Sequence, residues 1–173
     1  LKIQLYDEFG KVPKKMKLIN CVGGGSSAYG FWSEFIDYDK KRIQLIGVEA
    51  GGPKNGKLHA APLSNNSKVG ILHGSRAYCI QDSDGQIGET ESLSSGLDYP
   101  SVSPLHCFLK DAGRANYTSA TDEDALNAYK LVTKFEKLRP SLEPSHAFSI
   151  AIKEAKKFSR DTIIVVNSCG DAY

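Results

Sequence analysis

The segment from residue 18 to residue 35 constrains the fold more than any other part of the chain. It opens with a short apolar run of β-favouring residues at 18–22, passes through three glycines at 23–25 and ends in a helical pattern from Ala28 to Phe35. A second apolar run follows at 42–49. A strand, a loop, a helix and another strand in this order predict two parallel strands joined by a right-handed crossover.

The second half of the chain continues this alternation. Strands are predicted at 117–120 and 162–166, and helices at 104–111, 121–138 and 143–158. Thr121-Asp122-Glu123-Asp124 is a capping box at the start of the second of these helices, whose apolar side includes Leu126 and Phe135. The uninterrupted β-branched run at 162–166 is typical of a buried parallel strand.

The stretch between Ala50 and Asp98 breaks the pattern. It is rich in Gly, Ser, Asn and Asp and predicts long irregular connections, with a short helix near 68–80. All elements together predict a three-layer α/β unit, in which helices flank a mostly parallel sheet of about four strands. Ligands of such sheets bind beyond the carboxyl ends of the strands, so the candidate site lies at 23–27, after Glu49 and at 167–171.

Composition and charge bound the class of protein. We expect residues 1–173 to form a single domain with a sizeable core. The formal net charge of +2 gives no reason to expect nucleic acid or an anionic membrane as partner. No apolar run approaches the roughly 18 residues of a membrane span. Four widely spaced cysteines predict reduced thiols in an intracellular, cytoplasmic protein, with a disulfide framework or a zinc site as the alternative.

The glycine loop predicts an anion site. Without side chains at Gly23, Gly24 and Gly25, successive backbone N–H groups can converge on one anion. The following helix contributes its positive end, and Ser26 and Ser27 contribute hydroxyl donors. This suits a terminal phosphate monoester, and a tight turn without a ligand is the alternative. The loop is not a Walker loop, because no Gly-Lys-Ser/Thr follows it.

From this loop onward the sequence resembles the tryptophan synthase β family. The family has a CVGGGSNA-type loop that holds the phosphate of pyridoxal phosphate, and this chain reads CVGGGSSA, with Ser27 in place of the usual Asn. Further matches follow in family order: GVEAGG at 47–52, APL at 61–63, VGILHG at 69–74, DGQI at 84–87, SSGLDYPSV at 94–102, GRANYTSATDEDAL at 113–126, LEPSHA at 142–147 and VVN at 165–167. Their order across nearly the whole chain makes the resemblance specific.

The resemblance implies a fold type II pyridoxal-phosphate enzyme, a lyase of tryptophan biosynthesis. Its reaction replaces the hydroxyl of L-serine with indole and yields L-tryptophan and water. An α subunit supplies the indole through a tunnel, and β chains form a homodimer. Two alternatives stay open: another fold type II enzyme of the cysteine synthase or serine dehydratase type, and a non-catalytic module that binds a phosphate ligand or a partner protein.

The resemblance also assigns roles to residues. The phosphate would be held by Gly23, Gly24, Gly25, Ser26 and Ser27. Glu143 would lie beside the cofactor ring near its hydroxyl edge, although stabilising its helix start is the alternative. Asp98 would face the leaving hydroxyl of the substrate, with a turn-forming role as the alternative. Carbonyls of Gly23, Tyr99 and Ser101 would bind a monovalent cation, Na⁺ or K⁺. Leu72 and His73 fall at tunnel positions, although a structural role is the first expectation for all four histidines.

Cys169 falls where many family members have a serine that contacts the pyridine nitrogen. A neutral partner there leaves that nitrogen unprotonated, which favours β-elimination chemistry. A thiol is a weaker donor than a hydroxyl. The family usually continues Ser-Gly-Arg-Gly-Asp, whereas Gly170-Asp171-Ala172-Tyr173 follows here. A two-residue gap would instead give the role to Ser168.

The family's cofactor-binding lysine lies in a His-Lys-x-Asn segment before the glycine loop, and no lysine of this sequence has that context. Lys14, Lys15 and Lys17 precede the loop in a basic stretch, 11–17, that predicts a solvated surface. We therefore expect the chain to be the C-terminal portion of a longer enzyme. Alone it should be inactive and bind pyridoxal phosphate weakly.

Overall fold

The chain folds into helices and strands, and most of those that the sequence predicts are present. The computed structural model describes residues 1–158 and 160–171. Its elements are, in chain order, α1 (Lys2–Phe9), β1 (Met16–Cys21), α2 (Ser26–Trp32), β2 (Ile43–Ala50), β3 (Lys68–Leu72), β4 (Ser75–Cys79), α3 (Pro104–Asp111), β5 (Ala115–Ala120), α4 (Asp122–Glu136), α5 (Leu142–Ala155) and β6 (Ile163–Val166). Short 3₁₀ turns lie at Ser33–Phe35 and Ser95–Leu97.

The central sheet has the strand order β5-β2-β1-β6, and every pair in it is parallel. Helices cover both faces, with α2 and α3 on one side and α5 on the other. This confirms the predicted α/β fold class with its four-stranded parallel sheet. None of the helices in the described residues combines the length and apolarity that a membrane crossing requires.

Two apolar cores lie on opposite faces of the sheet because successive strand side chains point in opposite directions. The core beneath α2 includes Leu18, Leu45, Trp32 and Phe35. The core beneath α5 includes Ile19, Ile46, Ala147 and Ile150. β1 and β2 therefore contribute to both cores, and their buried pattern explains why these strands read as continuous apolar runs.

The predicted helix near 68–80 is wrong. This stretch forms an antiparallel hairpin of β3 and β4, in which Val69 pairs with Tyr78. His73 and Gly74 form its turn, with φ of 49° and 76°. A two-residue loop with positive φ at both positions matches the twist of hairpin strands. The turn and the pairing between the two strands determine this structure, because apolar and polar residues do not alternate strongly enough here to indicate strands.

Other parts of the sequence interpretation are also corrected. β6 is half-buried rather than fully buried, because it lies at the edge of the described sheet. Leu126 and Phe135 are exposed rather than packed against a core, because α4 packs on α5 and does not lie on the sheet. The basic stretch 11–17 is not uniformly solvated. Lys17 is 5% exposed and its Nζ is 3.0 Å from Oε2 of Glu154.

The helix α1 was not anticipated by any pattern in the sequence. Leu5 is its buried residue, and it ends at Gly10 in the left-handed conformation. An eight-residue helix with one buried side chain has almost no apolar periodicity to recognise. Its formation depends on packing against the first core, which includes Leu5.

Candidate functional site

The candidate site lies at the carboxyl edge of the sheet, where β1 and β6 end side by side. The backbone N–H of Asn167, directly after β6, donates to the carbonyl of Ile19 at 3.2 Å. A cavity of about 570 Å³ opens beside the glycine loop, and its wall includes Gly24, Leu72, His73, Gly96, Asp98, Tyr99 and Ser101. The structure therefore brings together segments that the sequence separates by more than seventy residues.

Each glycine of the loop has a different neighbour. A Cβ on Gly23 would lie 2.5 Å from the carbonyl oxygen of Gly96, so this residue permits the loop and the 95–97 turn to touch. Gly24 has open space where a Cβ would stand. Gly25 has a φ of 100°, and a Cβ there would collide with the ring of His106. Positive φ, anticipated for the loop as a whole, occurs within it at Gly25.

His106 supports the loop from beneath. Its Nε2–H donates to the carbonyl of Gly25 at 2.7 Å, and its Nδ1 accepts from the hydroxyl of Tyr117 at 2.8 Å. Burial lowers the pKa of His106, which keeps the ring neutral and consistent with this tautomer. His106 therefore has the structural role that was expected of it. Its link to the glycine loop was missed, because no sequence signal connects residues 81 positions apart.

The start of α2 leaves backbone donors available. Its first helical hydrogen bond runs from the N–H of Tyr29 to the carbonyl of Gly25, at 3.0 Å. The N–H groups of Ser26, Ser27 and Ala28 therefore have no acceptor within the helix. Ser26 and Ser27 are exposed. This arrangement fits an anionic group above the loop.

Ser27 lies at the centre of a small polar network. Its Oγ accepts from Nδ2 of Asn20 and from Nδ2 of Asn167, each at 3.2 Å. Asn20 is fully buried within the otherwise apolar β1. A polar residue at the end of an apolar run was the signal for this network, and the sequence interpretation did not use it.

Glu143 lies in the first turn of α5 and holds the 95–97 turn. Its Oε1 accepts from the N–H of Gly96 at 3.0 Å, and its Oε2 accepts from the Ser141 hydroxyl at 2.7 Å. Partial burial raises the pKa of Glu143, but hydrogen bonds from Ser141, its own backbone and Gly96 outweigh this, so the pKa is lowered. The carboxylate is ionised at neutral pH and acts as an acceptor at the site.

Asp98 and Tyr99 follow this turn directly. Asp98 is exposed on the cavity wall, and its N–H donates to the carbonyl of Ser95 at 3.3 Å. The Tyr99 hydroxyl is 3.0 Å from Nδ1 of His73, and the two rings stack with centroids 5.9 Å apart. His73 and Leu72 therefore share the cavity wall with the residues that the resemblance assigns to the substrate.

The carbonyls assigned to a cation belong to three neighbouring segments. Gly23 touches the 96–97 turn, Tyr99 follows that turn, and Ser101 is buried next to β4. The Ser101 hydroxyl donates to the carbonyl of Tyr78 at 3.1 Å. Among the described residues, no group of three or more His, Cys, Asp or Glu side chains could hold a metal ion. The widely spaced cysteines are free thiols.

Cys169 lies beside the glycine loop. Its sulfur is 3.5 Å from that of Cys21 at the end of β1. A hydrogen bond from the Cys21 thiol lowers the pKa of Cys169 to about 7, with burial opposing and the Ser27 hydroxyl assisting. The same hydrogen bond, with burial, raises the pKa of Cys21. Ser168, the rival in the sequence interpretation, is exposed.

Glu49, at the end of β2, does not contribute to the cavity wall. It is 1% exposed, and its two carboxylate oxygens accept from the N–H groups of Leu63 and Ser64 at 3.0 and 2.7 Å. Burial raises its pKa to about 7, against the effect of these hydrogen bonds. This carboxylate fixes the 61–64 loop instead. The site was expected at the ends of β1, β2 and β6, and it is flanked by the ends of β1 and β6.

Comparisons with known proteins agree with the sequence resemblance. No protein-family model matches the chain. The tryptophan synthase beta chain of Chromobacterium violaceum is 47% identical over 171 residues, which cover 98% of this chain and 42% of that protein. That of Vesicomyosocius okutanii is 45% identical, with 98% and 42% coverage. The chain thus spans less than half the length of these curated relatives.

Solved structures show the same fold at low sequence identity. A threonine deaminase from T.th. matches 99% of this chain and 50% of its own, with a TM-score of 0.64 and 14% identity. A fungal L-serine ammonia-lyase from Rhizomucor miehei matches 98% of this chain and 49% of its own, with a TM-score of 0.65 and 16% identity. These likenesses confirm the fold type II arrangement. The identity of 45–47% across nearly the whole sequence shows, in turn, that the chain is homologous to the tryptophan synthase beta chain.

Proposed function

We propose that this chain provides the phosphate and ring-edge contacts of a pyridoxal-phosphate lyase that joins L-serine and indole into L-tryptophan and water. The observation that carries the proposal is the 47% identity to a tryptophan synthase beta chain across 98% of this chain, glycine loop included. As in that family, the complete enzyme would act in the cytoplasm as a homodimer and receive indole from an α subunit.

The residues present fit the cofactor. An open position at Gly24, a close approach at Gly23 and the donors at the start of α2 suit a phosphate monoester. Once bound, the cofactor supplies an electron sink for removing the serine hydroxyl. Ser26 and Ser27 would add hydroxyl donors to the phosphate. The cofactor ring would then lie between Glu143 and Cys169.

Glu143 would act on the reaction through two contacts. Its ionised carboxylate would accept a hydrogen bond at the hydroxyl edge of the ring. Its bond to the N–H of Gly96 also fixes the turn that carries Asp98. Asp98 follows this turn on the cavity wall, where it would face the leaving hydroxyl of the substrate and help to close the site. Carbonyls of Gly23, Tyr99 and Ser101 would bind the monovalent cation that stabilises this region.

Cys169 would contact the pyridine nitrogen. Its sulfur lies next to that of Cys21 and accepts a hydrogen bond from the Ser27 hydroxyl, on the side of the site formed by the glycine loop. Ser168 has the weaker claim because its neighbour Cys169 already occupies that side. The stacked pair of His73 and Tyr99 would border the path of indole.

The isolated chain is expected to be inactive. Among the described residues, no lysine contributes to the cavity wall. No residue there can therefore attach the cofactor covalently and transfer protons as a lysine does. We therefore expect the purified 173-residue chain to form no tryptophan from serine and indole in the presence of pyridoxal phosphate. If tryptophan forms under these conditions, covalent attachment and proton transfer do not require a lysine outside this sequence, and the expectation is wrong.

Cofactor binding tests the site itself. Pyridoxamine phosphate is the suitable probe, because its amine cannot form the lysine adducts that an aldehyde would form with surface lysines. Equilibrium dialysis should detect binding to the wild-type chain that inorganic phosphate reduces. Gly24→Asp adds a carboxylate in open space at the anion site and should abolish binding. The matched Gly24→Asn variant should retain more of it. Equal binding by all three proteins would overturn the site.

The lack of a lysine on the cavity wall, as the described residues form it, also favours a second candidate, a non-catalytic module that binds a phosphate ligand. A cysteine synthase or serine dehydratase activity is the third. An active complex distinguishes them: this chain combined with a lysine-bearing segment should yield tryptophan from serine and indole. Pyruvate from serine, or cysteine when sulfide replaces indole in the assay, would favour the third candidate, and no product the second.

A further inference from the structure

Two thiols meet at the edge of the candidate site. The sulfurs of Cys21 and Cys169 are 3.5 Å apart across a sequence separation of 148 residues. Cys21 is buried at the end of β1, whereas Cys169 is exposed in the irregular segment after β6. The function proposed above gives Cys169 a contact with the cofactor ring and leaves Cys21 without a role.

We propose that Cys169 and Cys21 form a thiol-modification site, in which a hydroperoxide oxidises Cys169 and Cys21 then closes a disulfide with it.

The geometry requires only a small movement. A disulfide has an S–S distance of about 2.05 Å, so the two sulfurs must approach by roughly 1.5 Å. Cys21 is held within the sheet by its pairing with β2, where it lies opposite Val48. Cys169 lies between Asn167 and Gly170, whose backbones are bonded to Ile19 and Ser141. Ser168 and Cys169 lie between these two fixed points, so this short segment is the part that would move to close the distance.

The two thiols differ in the way that such a reaction needs. Cys169 is exposed, and the hydrogen bond from Cys21 brings the pKa of Cys169 to about 7, so a large fraction is thiolate at neutral pH. Cys21 is buried and lies in contact with that sulfur, in position to attack it once it is oxidised.

The chemistry balances with the peroxide as oxidant. The Cys169 thiolate attacks one peroxide oxygen, an S–O bond forms, the O–O bond breaks and the leaving oxygen takes a proton. Cys21 then attacks the sulfenic sulfur, so an S–S bond forms and the S–O bond breaks. The departing hydroxide takes the proton of Cys21 and leaves as water. Two thiols and hydrogen peroxide thus become a disulfide and two waters.

The other cysteines have different environments. The Cys79 thiol is buried and donates to the Ser101 hydroxyl at 3.1 Å. Cys107 accepts from the backbone N–H of Tyr78 at 3.4 Å, and burial raises its pKa. Cys79 is buried and Cys107 is half-buried, so both should react more slowly than the exposed Cys169.

Trypsin separates the four cysteines favourably. Cleavage after Lys17, Lys40, Arg76, Lys110 and Arg160 places Cys21 in peptide 18–40, Cys169 in peptide 161–173, and both Cys79 and Cys107 in peptide 77–110. The reduced 173-residue chain is treated with hydrogen peroxide, alkylated and digested without reduction. We expect a linked peptide of 18–40 with 161–173 that dithiothreitol separates. Its absence, or linkage of either peptide to 77–110 instead, would overturn the proposal.

Three variants sharpen the result. Cys169→Ser, at an exposed position, should give no linked peptide. Cys21→Ser should also give none, and its Cys169 should advance to the sulfinic acid because no resolving thiol is present. The matched control Cys107→Ser should form the linked peptide as the wild type does. Loss of the linked peptide in Cys107→Ser would contradict the assignment, even if Cys21→Ser failed to fold.

A second measurement relates the disulfide to the cofactor, and this part rests on the proposed function. The disulfide draws Cys169 toward β1 and removes its thiol from the ring. The oxidised chain should bind pyridoxamine phosphate at least about fivefold more weakly than the reduced chain, the loss expected for one hydrogen bond. Unchanged binding after complete linkage would disprove the role of Cys169 at the ring. Failure of the reduced chain to bind would count against the proposed function and not against the disulfide.

Discussion

Gly25 and His106 show how one residue pair shapes the glycine loop. The left-handed conformation of Gly25 and the imidazole beneath it occupy the space that any side chain would need. His106 in turn is hydrogen-bonded to the Gly25 carbonyl and the Tyr117 hydroxyl, and burial keeps its ring neutral. The loop therefore depends on glycine at this position for reasons of both backbone strain and packing.

Gly25→Ala should lower the free energy of unfolding by at least about 2 kcal/mol, because strain at positive φ adds to the collision with His106. Gly30→Ala is the matched control. A Cβ at Gly30, within α2, meets no atom within 4 Å, so it should stabilise the chain by about 0.5–1 kcal/mol. Urea unfolding followed by circular dichroism measures both values, and equal effects would contradict this account.

Glu49 is a second residue whose environment determines its chemistry. Burial raises its pKa from an ordinary value near 4.5 to about 7, so the folded state favours the protonated carboxyl. As pH rises from 4.5 to 7, the unfolded chain loses this proton before the folded chain does. The contribution of Glu49 to stability is therefore present at low pH and is lost as pH passes through 7.

Glu49→Gln provides the measurement of this effect, because an amide does not titrate. The free energy of unfolding of the wild type, taken relative to this variant, should fall by at most about 3 kcal/mol between about pH 4.5 and about pH 7.5. Other carboxylates titrate in both proteins and cancel in the difference. A difference that stays constant over this range would show that burial does not raise the pKa of the Glu49 carboxyl.

At the scale of elements, local signals predict the starts of α3 and α4, whereas none predicts the β3–β4 hairpin. The capping box of α4 is present, with the Thr121 hydroxyl accepting from the N–H of Asp124 at 3.2 Å. Pro104 opens α3, as expected for the first helical turn. The β3–β4 hairpin, in contrast, depends on pairing between residues that show little alternation, and the sequence favoured a helix there.

Removal of the α4 cap should have a measurable cost. Thr121→Ala deletes the side-chain acceptor and should lower the free energy of unfolding by about 1 kcal/mol. Thr121→Ser keeps the hydroxyl and should change it by a few tenths of a kcal/mol or less. Thermal and urea unfolding of the three proteins test the difference. Equal losses for both variants would assign the effect to the Thr121 methyl group.

At the scale of the whole molecule, the two cores share one sheet. Ile19 is fully buried beneath α5, whereas Trp32 is fully buried on the opposite face. Because β1 contributes to both cores, loss of one should destabilise the other. We therefore expect the chain to unfold in a single cooperative transition.

Ile19→Ala should lower the free energy of unfolding by about 2–5 kcal/mol. The fluorescence of Trp32, the single tryptophan, reports from the other face and should shift together with the circular dichroism signal. Ile71→Ala, at a side chain 72% exposed on the hairpin, is the control and should change stability by no more than about 0.5 kcal/mol. A Trp32 transition that stays in place for Ile19→Ala would show that the cores unfold separately.

The sequence by itself determined the α/β class, the parallel strands, the glycine loop between β1 and α2 and the family resemblance. These follow from local order: apolar runs, glycines and caps act over a few residues. Only the tertiary structure decided the hairpin, the exposed side of α4, the support of Gly25 by His106, the burial of Glu49 and the meeting of Cys21 with Cys169. Each of these depends on which distant segments lie next to one another in the folded chain. Burial and pairing between distant residues produce no periodic pattern in the sequence.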